Sequence, residues 1–385
     1  MTEKRIGAPG TGISRRRFLE ATGTSGLVAA MAGCTTTTRP SFSQVDPGAA
    51  SQSSAMPNLP TTGKPEVVDL DERGHEVTLR PVQARHEMHP LETMGGPVSL
   101  PVTWAFAADD GEPSVPGPIL RCTEGAELEI TLDNSDSPHP HTLHFHGVRK
   151  SWANDGVPTT TGITVMPGET HTYTIPANVA GTHLYHCHYQ TPMHMEMGMF
   201  GILRVDPEGY EEADKEYFST VREWDTRLSR QNAGENVQFD LTNRRPDAFT
   251  VNGKCAPRTL HPEEGSPMIV DPGDTVRVHW VNAGFMSHPL HIHNHRFRVV
   301  EKDGGQYPEE MQVPQDVVNV APAERYTVEF EADADPGIYL MHCHKVDHVR
   351  NGSSYPGGML SAIVYTDVMD TQIFADLMDY AGYEG

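Results

Sequence analysis

Two tripeptides, His186-Cys187-His188 and His342-Cys343-His344, carry the most specific chemistry in this chain. On an extended strand neighbouring side chains point to opposite faces, so the two histidines of each triplet share one face and the cysteine takes the other. A thiolate with two imidazoles and a weak thioether suits a copper that passes electrons one at a time, while the paired histidines behind it offer nitrogen to a second metal. Each triplet closes an apolar run that starts at a glycine, GTHLYHCH from Gly181 and GIYLMHCH from Gly337, and reads as a strand leaving a turn.

Upstream of each triplet stands an H-x-x-H-x-H run, His141-Thr142-Leu143-His144-Phe145-His146 and His288-Pro289-Leu290-His291-Ile292-His293. Twelve of the 21 histidines fall in these runs, in the triplets and at the histidine that follows each triplet, a recurrence that scattered core or surface histidines do not produce. An isolated H-x-H would read as a zinc site or a satisfied strand histidine. The first histidine of each run lies an odd number of residues from the later two, so alternation puts it on the cysteine's face. The expected thiolate sets are therefore His141, Cys187, His194 and Met199, and His288, Cys343, His348 and Met359. His194 to Met199 is a tight loop, whereas His348 to Met359 is longer and runs through Asn351-Gly-Ser-Ser-Tyr-Pro-Gly-Gly358. Met193, Met195 and Met197 read as packing or solvent-facing residues. The opposite faces supply His144, His146, His186 and His188, and His291, His293, His342 and His344. Eight imidazoles exceed the needs of one ion; they suit three coppers between two facing domains, with positions left for both atoms of dioxygen.

The elements that must position these groups are strands. Short alternating stretches such as Glu127 to Leu132 and Thr275 to Trp280 stand among 35 glycines and 31 prolines, helical periodicity is scarce, and 385 residues suffice for two domains with their own cores. The expected class is all-β, with Greek-key sandwich or barrel domains. From Pro65 the chain reads as a duplication. Gly125 and Asn134 recur as Gly273 and Asn282 at one offset, the histidine runs answer each other, and Pro167-Gly168-Glu169 answers Pro322-Ala323-Glu324. The expected partition is 65–208 and 209–367, divided in the polar segment DPEGYEEADKEY, followed by a short acidic tail at 368–385 without assigned chemistry.

Net charge is −23, which excludes the basic surface that nucleic acid requires. A dispersed acidic surface fits a salt-rich setting and fits equally an ordinary acidic secreted protein. Residues 1–34 read as an address: Ser14-Arg15-Arg16-Arg17-Phe18-Leu19 resembles a twin-arginine export signal, and Met31-Ala32-Gly33-Cys34 resembles a lipobox whose cysteine becomes a lipidated N-terminus. Anchoring to the outer face of the cell membrane through Cys34 follows as an expectation, with 35–64, rich in Ser, Thr, Pro and Ala, as a tether. Five cysteines are too few for a disulfide scaffold; Cys122 and Cys255 could form one bridge or remain two buried thiols.

HTLHFHG, HCHYQTPMHMEMGM, HPLHIH and HCHKVDH together resemble the four copper-binding motifs of the multicopper oxidases, in particular the two-domain, laccase-like kind, over roughly residues 65–365. The resemblance implies cupredoxin domains, oxidation of a small reducing substrate, phenolic or a metal ion, at blue type 1 copper, and four-electron reduction of dioxygen to water at a type 2/type 3 trinuclear cluster. It also implies a homotrimer whose cluster forms between the first domain of one subunit and the second of its neighbour. Many such proteins hold blue copper in one domain only; both ligand sets are present here, so five coppers per chain are expected. Asp155 in WANDGVP resembles the acidic residue that relays protons to reduced oxygen, with a plain turn aspartate as the competing reading. The second acid of the family is out of register, with Val346 at its position and Asp347 beside it. A copper nitrite reductase and a non-catalytic copper or electron carrier are the competing functions; the first lacks histidine on both sides of its blue-copper cysteine, and the second leaves eight imidazoles idle.

Overall fold

Apolar residues at alternate positions bury one face of the outer strands, strands such as Gly181–His186 and Phe200–Asp206 are buried on both, and two sandwiches result. In Glu127–Asp133, Leu128, Ile130 and Leu132 are buried and the residues between them are not. Its antiparallel neighbour Thr170–Pro176 buries Tyr173 and Ile175 in the same core. The structure, a computed structural model, describes residues 59–91 and 96–383. The segment expected to be an export signal, the lipobox-like cysteine and most of the expected tether lie outside the described residues, among which no helix is long and apolar enough to cross a membrane.

The first sandwich pairs a four-stranded sheet, in the order Val98–Ala108, Glu76–His89, Glu127–Asp133 and Thr170–Pro176, with a five-stranded one. The five-stranded sheet runs Val67–Asp69, Ile119–Thr123, Phe200–Asp206, Gly181–His186 and His144–Phe145. The second sandwich pairs six strands, Ala248–Val251, Lys215–Trp224, Thr275–Asn282, Arg325–Glu331, Arg298–Lys302 and Gly305–Gln306, with five. Those five are Met268–Val270, Leu360–Tyr365, Ile338–Cys343, His288–Ile292 and Val317–Val320. Neighbours in space are mostly not neighbours in sequence, which is the crossed connectivity of a cupredoxin-like fold. The five-stranded sheets repeat one register: His144 lies opposite His186 and His291 opposite His342.

A third core lies between the sandwiches, where Leu184, Phe200 and Ile202 of the first meet Trp224, Val281 and Cys255 of the second. The same seam carries buried charge. Arg204 donates to Glu301 at 3.0 Å with both side chains 2 % exposed, and the Thr182 N–H donates to the same carboxylate at 2.7 Å. Removing one member of such a pair would strand the other in a medium of low dielectric. Cys122 and Cys255 are free thiols in different cores, each pushed up to about 12, first by burial, so the disulfide alternative is not realised. The acidic tail forms a helix, Gln372–Ala381, capped by the Thr371 hydroxyl and packed near Arg258.

His86 pins the seam from the first sandwich. Its Nε2–H donates to the Gly253 carbonyl at 2.6 Å and its Nδ1 accepts from the Thr62 hydroxyl at 2.7 Å. Gly253 has φ +77°, and a Cβ there would run into the Val115 carbonyl and the His86 ring, so only glycine closes this turn. Burial, then the Lys254 charge, lower His86 to about 3. A ring kept neutral in the fold but free to protonate in the unfolded chain stabilises the protein above pH 6.5 and loses that contribution as pH falls towards 3. Urea unfolding at a series of pH values should therefore show stability dropping by about 1.4 kcal/mol per pH unit for this ring alone below its free value. His86→Gln should shallow that slope by close to one proton, and an unchanged slope would remove His86 as its source.

Candidate metal centres

Cys187 directly follows the buried strand Gly181–His186 and Cys343 ends the half-buried strand Ile338–Cys343, each with its sulfur turned into the sandwich core because it alternates with histidines on the opposite face. In the first sandwich Cys187 Sγ lies 3.2 Å from His194 Nδ1 and 3.8 Å from His141 Nδ1. In the second, Cys343 Sγ lies 3.5 Å from His348 Nδ1 and 3.8 Å from His288 Nδ1. Donor atoms at these separations can share one ion held at roughly 2.0–2.3 Å from each. Burial pushes the Cys187 thiol up to about 12 and the Cys343 thiol to about 11, so a metal must displace the proton. Burial likewise lowers His141 to about 2, His194 to about 3 and His348 to about 4, which leaves neutral rings with a free lone pair.

The remaining ring nitrogens set the tautomers. His288 Nε2 lies 3.0 Å from the Glu223 carboxylate, which can only accept, so the proton is on Nε2 and the Nδ1 lone pair faces the sulfur. His141 Nε2 lies 2.8 Å from the Ser137 hydroxyl. Glu223 is completely buried; burial alone would raise its carboxyl, but the bond from His288 and the charge of Arg222 outweigh that and hold it near 2.

The two candidate thioethers occupy equivalent places despite unequal loops. The Cys187 N–H donates to the Met199 carbonyl and the Cys343 N–H to that of Met359, both at 3.1 Å, while the Met199 and Met359 N–H groups donate to His194 and His348. Both methionines are fully buried. The longer second loop folds back on Asn351, whose side chain donates to the Ala256 carbonyl at 2.7 Å and accepts from the Gly358 N–H at 2.9 Å. Gly358 has φ +59° with the His348 carbonyl where a Cβ would be, so the excursion returns the chain in register. Met197 is buried beside Met199, and Met195 packs in the seam.

The opposite faces gather the other histidines. His146 Nε2 and His186 Nε2 are 3.0 Å apart, as are His293 Nε2 and His342 Nε2. Donor atoms of His144, His146 and His186 cluster within 4.8 Å, and so do those of His291, His293 and His342. His188 and His344 stand at the rim, their rings 5.3 Å from His144 and 5.6 Å from His291. The Nδ1 edges are tied to backbone: His144 to the Asp155 carbonyl at 2.8 Å, His291 to the Asp316 carbonyl at 2.7 Å, and His186 and His342 to the carbonyls of Cys187 and Cys343 at 2.9 and 3.0 Å. All four Nε2 atoms are thereby free for a metal. The geometry fits copper on donor chemistry: sulfur and two nitrogens on one face, imidazole alone on the other.

Asp155 lies beside the first group, its carboxylate 3.4 Å from His144 Nδ1 and 3.0 Å from Lys150 Nζ. The slight burial there would raise its carboxyl, but the Lys150 hydrogen bond and charge hold it below the usual range. Gly156, with φ +69°, presses so closely on the Leu143 carbonyl that no Cβ fits, which locks Asp155 against the histidine strand. Asp347 instead points to solvent, 87 % exposed, and Val346 is exposed with it. The acid that occupies the place equivalent to Asp155 is Asp316, with its carboxylate 3.8 Å from His291 Nδ1. Sequence reading missed it because Asp155 follows His144 by eleven residues whereas Asp316 follows His291 by twenty-five, the hairpin Arg298–Lys302 and Gly305–Gln306 intervening. Glu223 and Glu196 were missed too, since nothing local distinguishes a buried acid from the many exposed ones.

Known proteins resemble this chain in sequence and in fold. Family models described as multicopper oxidase match residues 111–209 and 231–356, together more than half of the chain. A probable nitrite reductase–hydroxylamine oxidoreductase fusion protein of Kuenenia stuttgartiensis is 25 % identical over 70 % of this chain and 30 % of its own length. An L-ascorbate oxidase of Brassica rapa subsp. pekinensis is 27 % identical over 57 % of this chain and 42 % of its own. The chain thus spans less than half of either relative. A copper-containing nitrite reductase of Neisseria meningitidis serogroup B is 27 % identical over 76 % of this chain and 71 % of its own. Among solved structures, the blue copper oxidase of Nitrosomonas europaea superposes with a TM-score of 0.64 at 28 % identity, over 77 % of this chain and 87 % of that one. The multicopper oxidase mgLAC gives 0.64 at 29 %, over 80 % and 88 %. The matched segments contain every histidine and cysteine of the four clusters, with Met359 just beyond the second segment, and with the donor geometry above they establish that the chain belongs to the multicopper oxidase family.

Proposed function

We propose that the protein couples one-electron oxidation of a small reducing substrate, phenolic or a metal ion, at the thiolate sites to the reduction of dioxygen to water at the imidazole sites. When bound, copper would supply single-electron acceptance at the thiolates and, at a trinuclear cluster, four electrons that with four protons convert one dioxygen into two waters. The observation that carries this reading is the pairing of each thiolate site with a half-open group of imidazoles one residue away on the same strand. The peptide bonds of Cys187 and Cys343 and the hydrogen bonds from His186 and His342 to the same cysteines' carbonyls give each sulfur a short route to the opposite face.

Each half-site is incomplete by itself. Among the described residues no ring pair joins the first histidine group to the second, and His344 is exposed. Apposition of one subunit's first group to a neighbour's second group in a homotrimer would complete both and cover Asp155 and Asp316, which then flank the cluster as proton-relay residues. The exposed apolar residues around the histidine faces, Trp152 in the first sandwich and Val317 and Val346 in the second, suit burial in such a contact. Export by the twin-arginine route and anchoring through Cys34 complete the proposal; Arg15, Arg16, Phe18 and the cysteine motif support it.

Nitrite reduction is the second reading, favoured by the meningococcal relative. Oxygen uptake by copper-loaded protein, supplied in turn with a phenol, a ferrous salt and a cuprous donor and with nitrite assayed alongside, should show oxygen consumption without nitrite turnover; the reverse result would replace the proposal. Copper analysis should give about five ions per chain, two of them blue. Asn351→Ala should lose the second blue centre, lowering the ratio to about four, with the first intact; a full complement would deny the loop its role. Asp155→Asn should slow reoxidation by oxygen roughly 10²-fold or more in single-turnover measurements while substrate still bleaches the blue colour at the normal rate.

A further inference from the structure

The two thiolate sites are alike in ligands but not in what stands behind them. The first-run histidine of the first sandwich, His141, is backed by a neutral hydroxyl, that of Ser137 at 2.8 Å. Its counterpart His288 is backed by a carboxylate, Glu223 Oε2 at 3.0 Å, with both side chains fully buried. The carboxylate is held in place from several sides. Its other oxygen accepts from the Phe285 N–H at 2.6 Å, Arg244 lies 3.4 Å away, and Gly284 packs so closely on Oε2 that a Cβ there would collide with it.

The charge behind Glu223 is arranged as well. Arg222 donates to Glu196 at 3.0 Å with both side chains 1 % exposed, and Arg244 donates to the same carboxylate. Both guanidinium groups thus bond Glu196, Arg222 donating also to the Ala283 carbonyl at 2.6 Å, and one oxygen of Glu223 is left for His288. A buried carboxylate that accepts the Nε2 proton makes the imidazole a stronger donor through Nδ1, and its negative charge in a site of low dielectric favours the more positive state of a bound ion. Ser137 supplies neither effect.

We propose that Glu223 is a positioning residue that makes the two blue centres unequal, holding the one at His288, Cys343 and His348 at a lower reduction potential than the one at His141, Cys187 and His194. The first centre is then the better oxidant towards donors, and the second delivers electrons to its imidazole face with the larger driving force. The inference rests on the proposed occupancy of both thiolate sites by copper.

The test isolates each centre in full-length, copper-loaded protein, with Cys187→Ser leaving only the second and Cys343→Ser only the first, and follows the blue absorption in a redox titration. The second centre should titrate at the lower potential. Glu223→Gln should shift its Cu(II)/Cu(I) equilibrium at least tenfold towards Cu(I), about 59 mV for each tenfold in a one-electron couple, and should leave the first centre where it was. Should Glu223→Gln fail to fold, Ser137→Asp in the Cys343→Ser protein places a carboxylate behind His141 and should lower the first centre's potential by a similar factor. Equal potentials for the two centres, or a blue centre unmoved by either substitution, would overturn the inference. A Cys187→Ser protein that binds no blue copper would instead bring down the reading of the second site on which it rests.

Discussion

Side-chain alternation on two strand ends is the constraint from which the rest of the molecule follows. A histidine, a cysteine and a histidine in succession must face out, in and out, so one strand closes two metal environments at once. The inward face requires a packed core around a sulfur, and Cys187 and Cys343 are both fully buried. The outward face must stay accessible until something covers it, and His188 and His344 lie at rims. A sandwich meets both demands because it buries one side of its sheet and leaves the other free.

The second consequence concerns rigidity. Ligands to a metal that changes charge must hold their places in both states, and here six of the twelve rings are tied through their second nitrogen to backbone or to a buried side chain. The glycines that permit this do so by lacking a Cβ: Gly156 against Leu143, Gly358 against His348 and Gly284 against Glu223. The seam between the sandwiches joins the same network, since Glu196, two residues beyond His194, shares Arg222 and Arg244 with the carboxylate behind His288. The first thiolate site and the second are thus parts of one buried charge assembly within a single chain.

The duplication shows how far such a plan tolerates change. Met199 and Met359 end on the same backbone bonds although one loop is six residues longer than the other. The extra chain is absorbed outside the ladder and tied down by Asn351. The hairpin inserted before Asp316 likewise leaves the carbonyl of that residue on His291, as the carbonyl of Asp155 is on His144. Length varies where chain can loop into solvent, and register is kept where donors must converge.

By itself the sequence determined the all-β class, the repeated histidine and cysteine spacing, and the sorting of donors between two faces, because period-two alternation is a local property of a strand. It also pointed to Asp155, which sits a short turn away from its histidine. What only the tertiary structure decided depends on contacts between distant segments. Spacing left Cys122 and Cys255 open between a bridge and two thiols; packing puts them in separate cores. Asp316, rather than Asp347, stands beside the second histidine group because an inserted hairpin displaces it in sequence but not in space. Glu223 stands 65 residues from His288 and becomes its partner only when two sheets of the second sandwich close on each other, so no local pattern could mark it.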